Sequence, residues 1–129
     1  MPDPTKILGV DDEADFEALI RQRFRRQIRD GEFTFRFAHD GEKALDLLAA
    51  EPDIDLILLD INMPGMDGLQ LLGEIKQRRP DLPVMMVTAY GDDERRRRAH
   101  ELGAFEFITK PVDFDRLKDQ LRQLPSTSA

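Results

Sequence analysis

Cysteine is absent from this 129-residue chain, and basic residues are in deficit. Without cysteine there is no disulfide frame, no thiolate nucleophile and no thiolate metal ligand. Nineteen Lys and Arg face 26 Asp and Glu, a net charge of -7. That balance argues against a dedicated nucleic-acid binder, which usually carries a basic surplus. Long apolar runs are missing too: none approaches the roughly 18 residues of a membrane-spanning helix. No signal-peptide pattern opens the chain, so a cytoplasmic location is expected. The length is that of one domain, enough to bury about two-thirds of the unfolded surface and fold unaided.

The most informative stretch is Asp55 to Gly68, DLILLDINMPGMDG. Leu56 to Leu59 form a continuous apolar run that reads as a strand buried on both faces. It ends in Asp60 and then in a Pro-Gly turn that cannot extend it. An Asp before a turn is commonly only a turn or cap residue. What separates Asp60 from that ordinary role is its company on the other strands.

In chain order, Lys6 to Val10 is a short apolar strand stopped by Asp11-Asp12-Glu13. A helix then places Phe16, Leu19, Ile20, Phe24 and Ile28 inward and ends at Asp30-Gly31. Phe33 to Ala38 alternates, with Phe33, Phe35 and Phe37 on one side, as an edge strand does. Asp40 is placed to cap a helix carrying Ala44, Leu45 and Leu48. After the Asp60 strand comes a helix with Leu69, Leu72 and Ile75 inward, stopped by Pro80. Val84 to Val87 is a second fully apolar strand, ending at Thr88-Ala89. Gly91 to Leu102 is helical but almost wholly polar, with Ala99 and Leu102 as its anchors. Ala104 to Thr109 is a strand broken by Glu106, ending at Lys110-Pro111. The final helix carries Phe114, Leu117, Leu121 and Leu124, and residues 125–129 read as a polar tail or the start of a linker.

Five strand-helix repeats predict an α/β fold, an open five-stranded parallel sheet with helices on both faces. Strands two and five carry a polar residue mid-strand and suit the edges, which favours the order 2-1-3-4-5. Ligands then bind at the carboxyl ends of the strands, at the switch point between strands one and three. Neighbouring strands lie roughly 5 Å apart, so Asp11, Asp12 and Asp60 converge there. Three carboxylates at this spacing repel unless a cation sits among them. Hard oxygen ligands without His or Cys suit Mg²⁺, which also binds phosphate oxygens. Thr88 and Lys110, from strands four and five, are donors aimed at an anion. Together these groups fit phosphoryl transfer to a carboxylate nucleophile.

The set Asp11-Asp12-Glu13, Asp60 to Gly68, Thr88-Ala89 and Lys110-Pro111 resembles the receiver domain of two-component response regulators, over about residues 6–124. The resemblance implies a flavodoxin-like receiver fold and Asp60 as acceptor of a phosphoryl group. The donor would be a sensor histidine kinase or, in a phosphorelay, a histidine phosphotransfer protein. It implies Mg²⁺ held by Asp12 and Asp60, by Asp11 directly or through water, and by the backbone carbonyl of Asn62. Thr88 and Lys110 would bind the phosphoryl group, Thr88 and Phe107 would form the switch, and Asn62 and Tyr90 would tune the acyl phosphate's lifetime. The face formed by the 91–102 helix, strand five and the last helix would carry the signal. The protein is expected not to be a turnover enzyme, although it promotes its own phosphorylation and slow dephosphorylation. Its output domain or partner is unspecified, and neither nucleic acid nor membrane is an expected direct partner. The chain is expected to be a stand-alone receiver or one domain of a longer protein.

Two other functional classes compete. Some Mg²⁺-dependent phosphohydrolases also use an Asp nucleophile at a strand end, but they usually carry a second Asp two residues on, where this chain has Asn62. A phosphate-independent interaction module keeping only the fold would be expected to lose Asp60, Thr88 or Lys110. The remaining features read as ordinary surface. Asp92, Asp93 and Glu94 stand four residues before Arg96, Arg97 and Arg98, a self-pairing pattern. Arg21, Arg25 and Arg29 line one helix face, His39 and His100 are placed away from the acids, and Gly9 is expected to weaken strand one locally.

Overall fold

Apolar runs bounded by carboxylates and turn residues become the central strands, as their patterning requires. The computed structural model describes residues 4–61, 67–89 and 91–123. Five parallel strands, β1 (Thr5–Val10), β2 (Phe33–Ala38), β3 (Leu56–Asp60), β4 (Val84–Thr88) and β5 (Glu106–Thr109), form one sheet in the order β2-β1-β3-β4-β5. Every residue of β3 and β4 is buried, which is why both read as unbroken apolar runs. The chain alternates these strands with helices α1 (Ala14–Arg23), α2 (Arg25–Arg29), α3 (Gly41–Ala50), α4 (Gly68–Arg78), α5 (Asp93–Glu101) and α6 (Phe114–Arg122).

Alternate strand residues feed two cores. One face sends Leu8, Val10, Ile57, Leu59, Val84 and Met86 against α3, α4 and Ala99 of α5. The other sends Ile7, Phe33, Phe35, Leu56, Leu58 and Met85 against α1, Phe24, α2 and α6. Phe24 is the hub of this second core, meeting Phe33, Phe35 and Phe114 edge-on with centroids 5.7, 5.1 and 6.4 Å away. Asp40 caps α3 by accepting from the Lys43 amide at 2.8 Å, as its position predicts.

Several local expectations are corrected. The first helical segment is not one helix: it bends at Phe24, whose φ of -104° and ψ of 13° separate α1 from α2. The bend interrupts the Arg21, Arg25, Arg29 row, and Arg21 instead pairs with Glu17 at 3.0 Å and lies over the Phe37 ring. Leu19 is 41% exposed, because Phe16, Ile20 and Phe24 already fill the inward stripe. Leu102 is 40% exposed and serves as the C-cap of α5, leaving Ala99 as that helix's buried residue. Strand β5 begins at Glu106 rather than Ala104, although the Phe105 amide already donates to the Val84 carbonyl at 2.7 Å. Gly9 has a packing reason: a Cβ there would stand 3.0 Å from Cδ1 of Phe37, its register partner on β2. Leu124 lies outside the described residues, as do Asn62 and Tyr90.

Candidate functional site

Register carries the acids together. Val10 pairs with Leu59, so the residues that follow each, Asp11 and Asp60, emerge side by side at the carboxyl end of the sheet. Asp60 pairs with Val87 and Thr88 pairs with Thr109, which brings Thr88 and Lys110 to the same rim. The Lys110 amide donates to the Thr88 carbonyl at 2.8 Å, and the Lys110–Pro111 peptide is cis. Asp11, Asp60 and Thr88 are the buried polar side chains among the described residues, at 4%, 3% and 1% exposure. Asp12 is exposed, yet one oxygen each from Asp11, Asp12 and Asp60 fall within 4.8 Å of one another.

Lys110 reaches into this cluster. Its Nζ lies 3.2 Å from Oδ2 of Asp60 and 3.8 Å from Oδ2 of Asp11. Burial pulls the ammonium toward its neutral form, but the charges of Asp60 and Asp11 outweigh it, and the Lys110 pKa stands above its ordinary value. Burial pushes the Asp11 carboxyl up to about 6, helped by the charges of Asp60 and Asp12 and opposed by the Glu13 amide and Lys110. That amide donates to Oδ1 of Asp11 at 2.8 Å. The shift comes first from burial of the carboxyl and only secondarily from the neighbouring acids. Three carboxylate oxygens within 4.8 Å of one another form an all-oxygen donor set that fits a hard divalent cation. Thr88 turns its hydroxyl toward the Ile108 carbonyl at 3.4 Å, a long bond easily given up for a better acceptor.

The Asp11 shift carries a stability prediction for metal-free protein. Between about pH 4 and 6 the folded chain holds a proton on Asp11 that the unfolded chain releases. This contribution is full below the ordinary value of 3.8 and is lost as pH rises through about 6. Asp11→Asn keeps an acceptor for the Glu13 amide and removes the titration. In chelator, its stability relative to wild type should rise by about 2 kcal/mol from pH 4 to pH 7. Urea melts at the two pH values check this, and a constant difference would refute it.

Three residues were not assigned to the site by their sequence positions. Gly68 opens α4 against the end of β3: a Cβ there would stand 2.6 Å from the Asp60 carbonyl oxygen and 2.7 Å from the Ile61 Cα. Its signal was a glycine at the first position of a helix, eight residues after Asp60. Arg95 leaves its own helix to bond the Ile61 carbonyl at 2.8 Å and Asp67 at 3.0 Å. The expected pairs from Asp92, Asp93 and Glu94 to Arg96, Arg97 and Arg98 are absent among the described residues, and the Asp92 partner is Arg95 at 3.9 Å. Arg96 lies over the half-buried Phe107 ring, 5.3 Å from its centroid. His39 stands nearer the acids than expected, because it directly follows β2. Its Nδ1 lies 3.2 Å from the Asp11 carbonyl oxygen and its Nε2 lies 3.1 Å from Glu17. It contacts backbone and a surface carboxylate, so an ordinary polar role holds.

Comparison with known proteins agrees with this architecture. A family model described as the response regulator receiver domain matches residues 7–122. The response regulator protein PilR of Pseudomonas aeruginosa is 43% identical over 114 residues, covering 88% of this chain and 24% of PilR. Sporulation initiation phosphotransferase F of Bacillus subtilis is 36% identical over 118 residues, covering 92% of this chain and 91% of that protein. This chain therefore spans about a quarter of one relative and nearly all of the other. Among solved structures, the receiver domain of NtrX from Brucella abortus superposes with a TM-score of 0.79 at 37% identity, covering 90% of this chain and 94% of that one. No helix among the described residues is long and apolar enough to cross a membrane. With the sheet order, the rim of acids and a family match over most of its length in agreement, the chain belongs to the response regulator receiver domains of two-component signal transduction.

Proposed function

We propose that the chain is a phosphorylation-gated switch that takes a phosphoryl group from a phosphohistidine onto Asp60. The observation that carries this reading is a buried carboxylate, Asp60, clustered with Asp11 and Asp12 and met by the Lys110 ammonium at 3.2 Å, which also lies 3.8 Å from Asp11. In the proposed step an Asp60 oxygen forms a bond to phosphorus as the phosphorus–nitrogen bond of the donor breaks. The departing imidazole keeps the electron pair. Lys110 pairs with the incoming phosphoryl oxygens, and Thr88 exchanges its long bond to Ile108 for one to the same group. Asp11, Asp12, Asp60 and the Asn62 carbonyl would hold Mg²⁺, whose positive charge offsets that of the carboxylates and the phosphoryl oxygens when bound.

The signal would leave by the neighbouring face. Thr88 drawn upward vacates space next to β5, where Phe107 can turn inward and release Arg96. Helix α5 has one buried residue, so little apolar packing opposes its movement. Asn62 and Tyr90 are the proposed determinants of acyl-phosphate lifetime. A histidine kinase or phosphotransfer protein is the proposed donor, and a partner reading α5, β5 and α6 is the proposed receiver of the signal.

The test is phosphorylation by acetyl phosphate. Intact mass should rise by one phosphoryl group with Mg²⁺ present and stay unchanged in excess chelator, and peptide mapping should place the group on Asp60. Uptake at another residue, or equal uptake in chelator, would refute the assignment.

A further inference from the structure

We infer that Arg95 is a positioning residue for the acidic site, holding from α5 both ends of the segment that follows Asp60. The inference rests on the metal-site reading above. The same guanidinium nitrogen, Nη2, donates to the Ile61 carbonyl at 2.8 Å and to Oδ1 of Asp67 at 3.0 Å. Residues 62–66 join those two points in sequence, so one cation ties down where that segment leaves β3 and where it enters α4.

Each anchor is already tied to Asp60. The Ile61 amide donates to the Val87 carbonyl at 3.0 Å, which leaves the Ile61 carbonyl as an acceptor just beyond β3. Asp67 caps α4 by accepting from the Leu69 amide at 2.8 Å, and the next residue, Gly68, packs on the Asp60 and Ile61 backbone. Arg95 adds a third element to this joint. The side chain is 31% exposed, and its bond to the Ile61 carbonyl is partly shielded from water, while the bond to the half-exposed Asp67 is not. A charged donor to a carbonyl or carboxylate makes one of the stronger hydrogen bonds a protein can form. Helix α5 otherwise contributes one buried residue, Ala99, so Arg95 is a substantial part of what attaches it at the site end. A side chain that touches no ligand but orients the backbone around one acts as an outer-shell support, and such supports commonly set affinity. By thermodynamic reciprocity, a change at the acidic cluster that shifts Ile61 or Asp67 also shifts α5.

Electrostatics and positioning predict opposite results, which makes the test sharp. If Arg95 were only a nearby positive charge, Arg95→Gln would make Mg²⁺ bind more tightly. If it positions the site, Arg95→Gln should weaken Mg²⁺ binding roughly tenfold, read by calorimetric or NMR titration with Mg²⁺ alone. Amide exchange at Ile61, Leu69 and Leu71 should speed several-fold in the metal-free variant, while β1 and β2 keep wild-type protection. Arg95→Lys, which keeps the charge but reaches fewer acceptors, should fall between. Asp67→Asn preserves the cap and removes one charged leg, so it should shift both measurements in the same direction by less, and it serves if Arg95→Gln does not fold. Equal or tighter Mg²⁺ binding in Arg95→Gln would overturn the inference, as would unchanged exchange at those amides. If wild type binds no Mg²⁺, the metal reading of the cluster fails, and exchange in metal-free protein still decides whether Arg95 holds the segment.

Discussion

Asp60→Asn should take up no phosphoryl group from acetyl phosphate under conditions where wild type is fully modified. The amide has the carboxylate's size and shape, but its nitrogen lone pair is delocalised and its oxygen carries no full charge, so the nucleophile is lost. The substitution leaves Asp11, Asp12, Thr88 and Lys110 unaltered, which makes the variant a test of chemistry rather than of folding. A second readout comes from the neighbouring acid. The charge of Asp60 is one of the causes that raise the Asp11 carboxyl to about 6. Removing it should move the Asp11 titration toward lower pH, visible in carboxyl NMR shifts of metal-free protein. Phosphoryl uptake at more than about one-hundredth of the wild-type rate, a barrier change below about 2.7 kcal/mol, would place the nucleophile elsewhere. An unmoved Asp11 titration would show that the two acids do not sense each other.

Gly68→Ala should be the most damaging single-methyl change in α4. A Cβ would meet the Asp60 carbonyl oxygen at 2.6 Å and the Ile61 Cα and carbonyl oxygen at 2.7 Å, and all three are backbone atoms of a buried strand end. No side chain can rotate to make room. Either α4 lifts off β3 or the end of β3 moves, and both displace Asp60. Overpacking of this kind costs about 3 kcal/mol, or more where the backbone must shift. A domain of this size then melts roughly 10 °C lower. The control lies five residues along the same helix. Gly73 has nothing within 4 Å of its Cβ position, so Gly73→Ala should stabilise the protein by about 0.5–1 kcal/mol through helix propensity. Thermal melts of the pair decide the matter, and equal shifts in the two variants would show that contact with β3 is not the cause.

The two variants also separate what could be read from the chain alone. Leu56–Leu59 and Val84–Val87 announce strands buried on both faces, and the alternation of Phe33 to Phe37 announces an edge. Order 2-1-3-4-5 followed from those patterns because a polar residue inside a strand is tolerated at an edge and costly at the centre. The acids at strand ends were equally legible, since a carboxylate that ends an apolar run in a parallel sheet has only the rim to occupy. Where the reading failed, a local pattern was consistent with more than one packing. Leu19 and Ile20 are adjacent apolar residues on one helix, and sequence could not choose which of them the sheet would accept. Gly9 looked like a weakness until the Phe37 ring was seen to fill the space beside it. The Asp92–Arg98 run looked self-paired because the spacing of charges within one helix says nothing of partners on other elements.

What the amino-acid order determined by itself was the alternation of buried and exposed faces, the five strands and the residues brought to their carboxyl ends. Periodicity and chain connectivity are properties of a single strand of sequence, and right-handed crossovers leave few arrangements for them. What tertiary structure decided were the contacts between residues distant in the chain that no period encodes. Asp11 is pushed to about 6 because folding buries it beside Asp60. Gly68 is required because α4 starts against the backbone of β3. Arg95 reaches beyond its helical neighbour Asp92 to the Ile61 carbonyl and Asp67, 34 and 28 residues away, because folding sets the start of α5 beside the end of β3 and the start of α4.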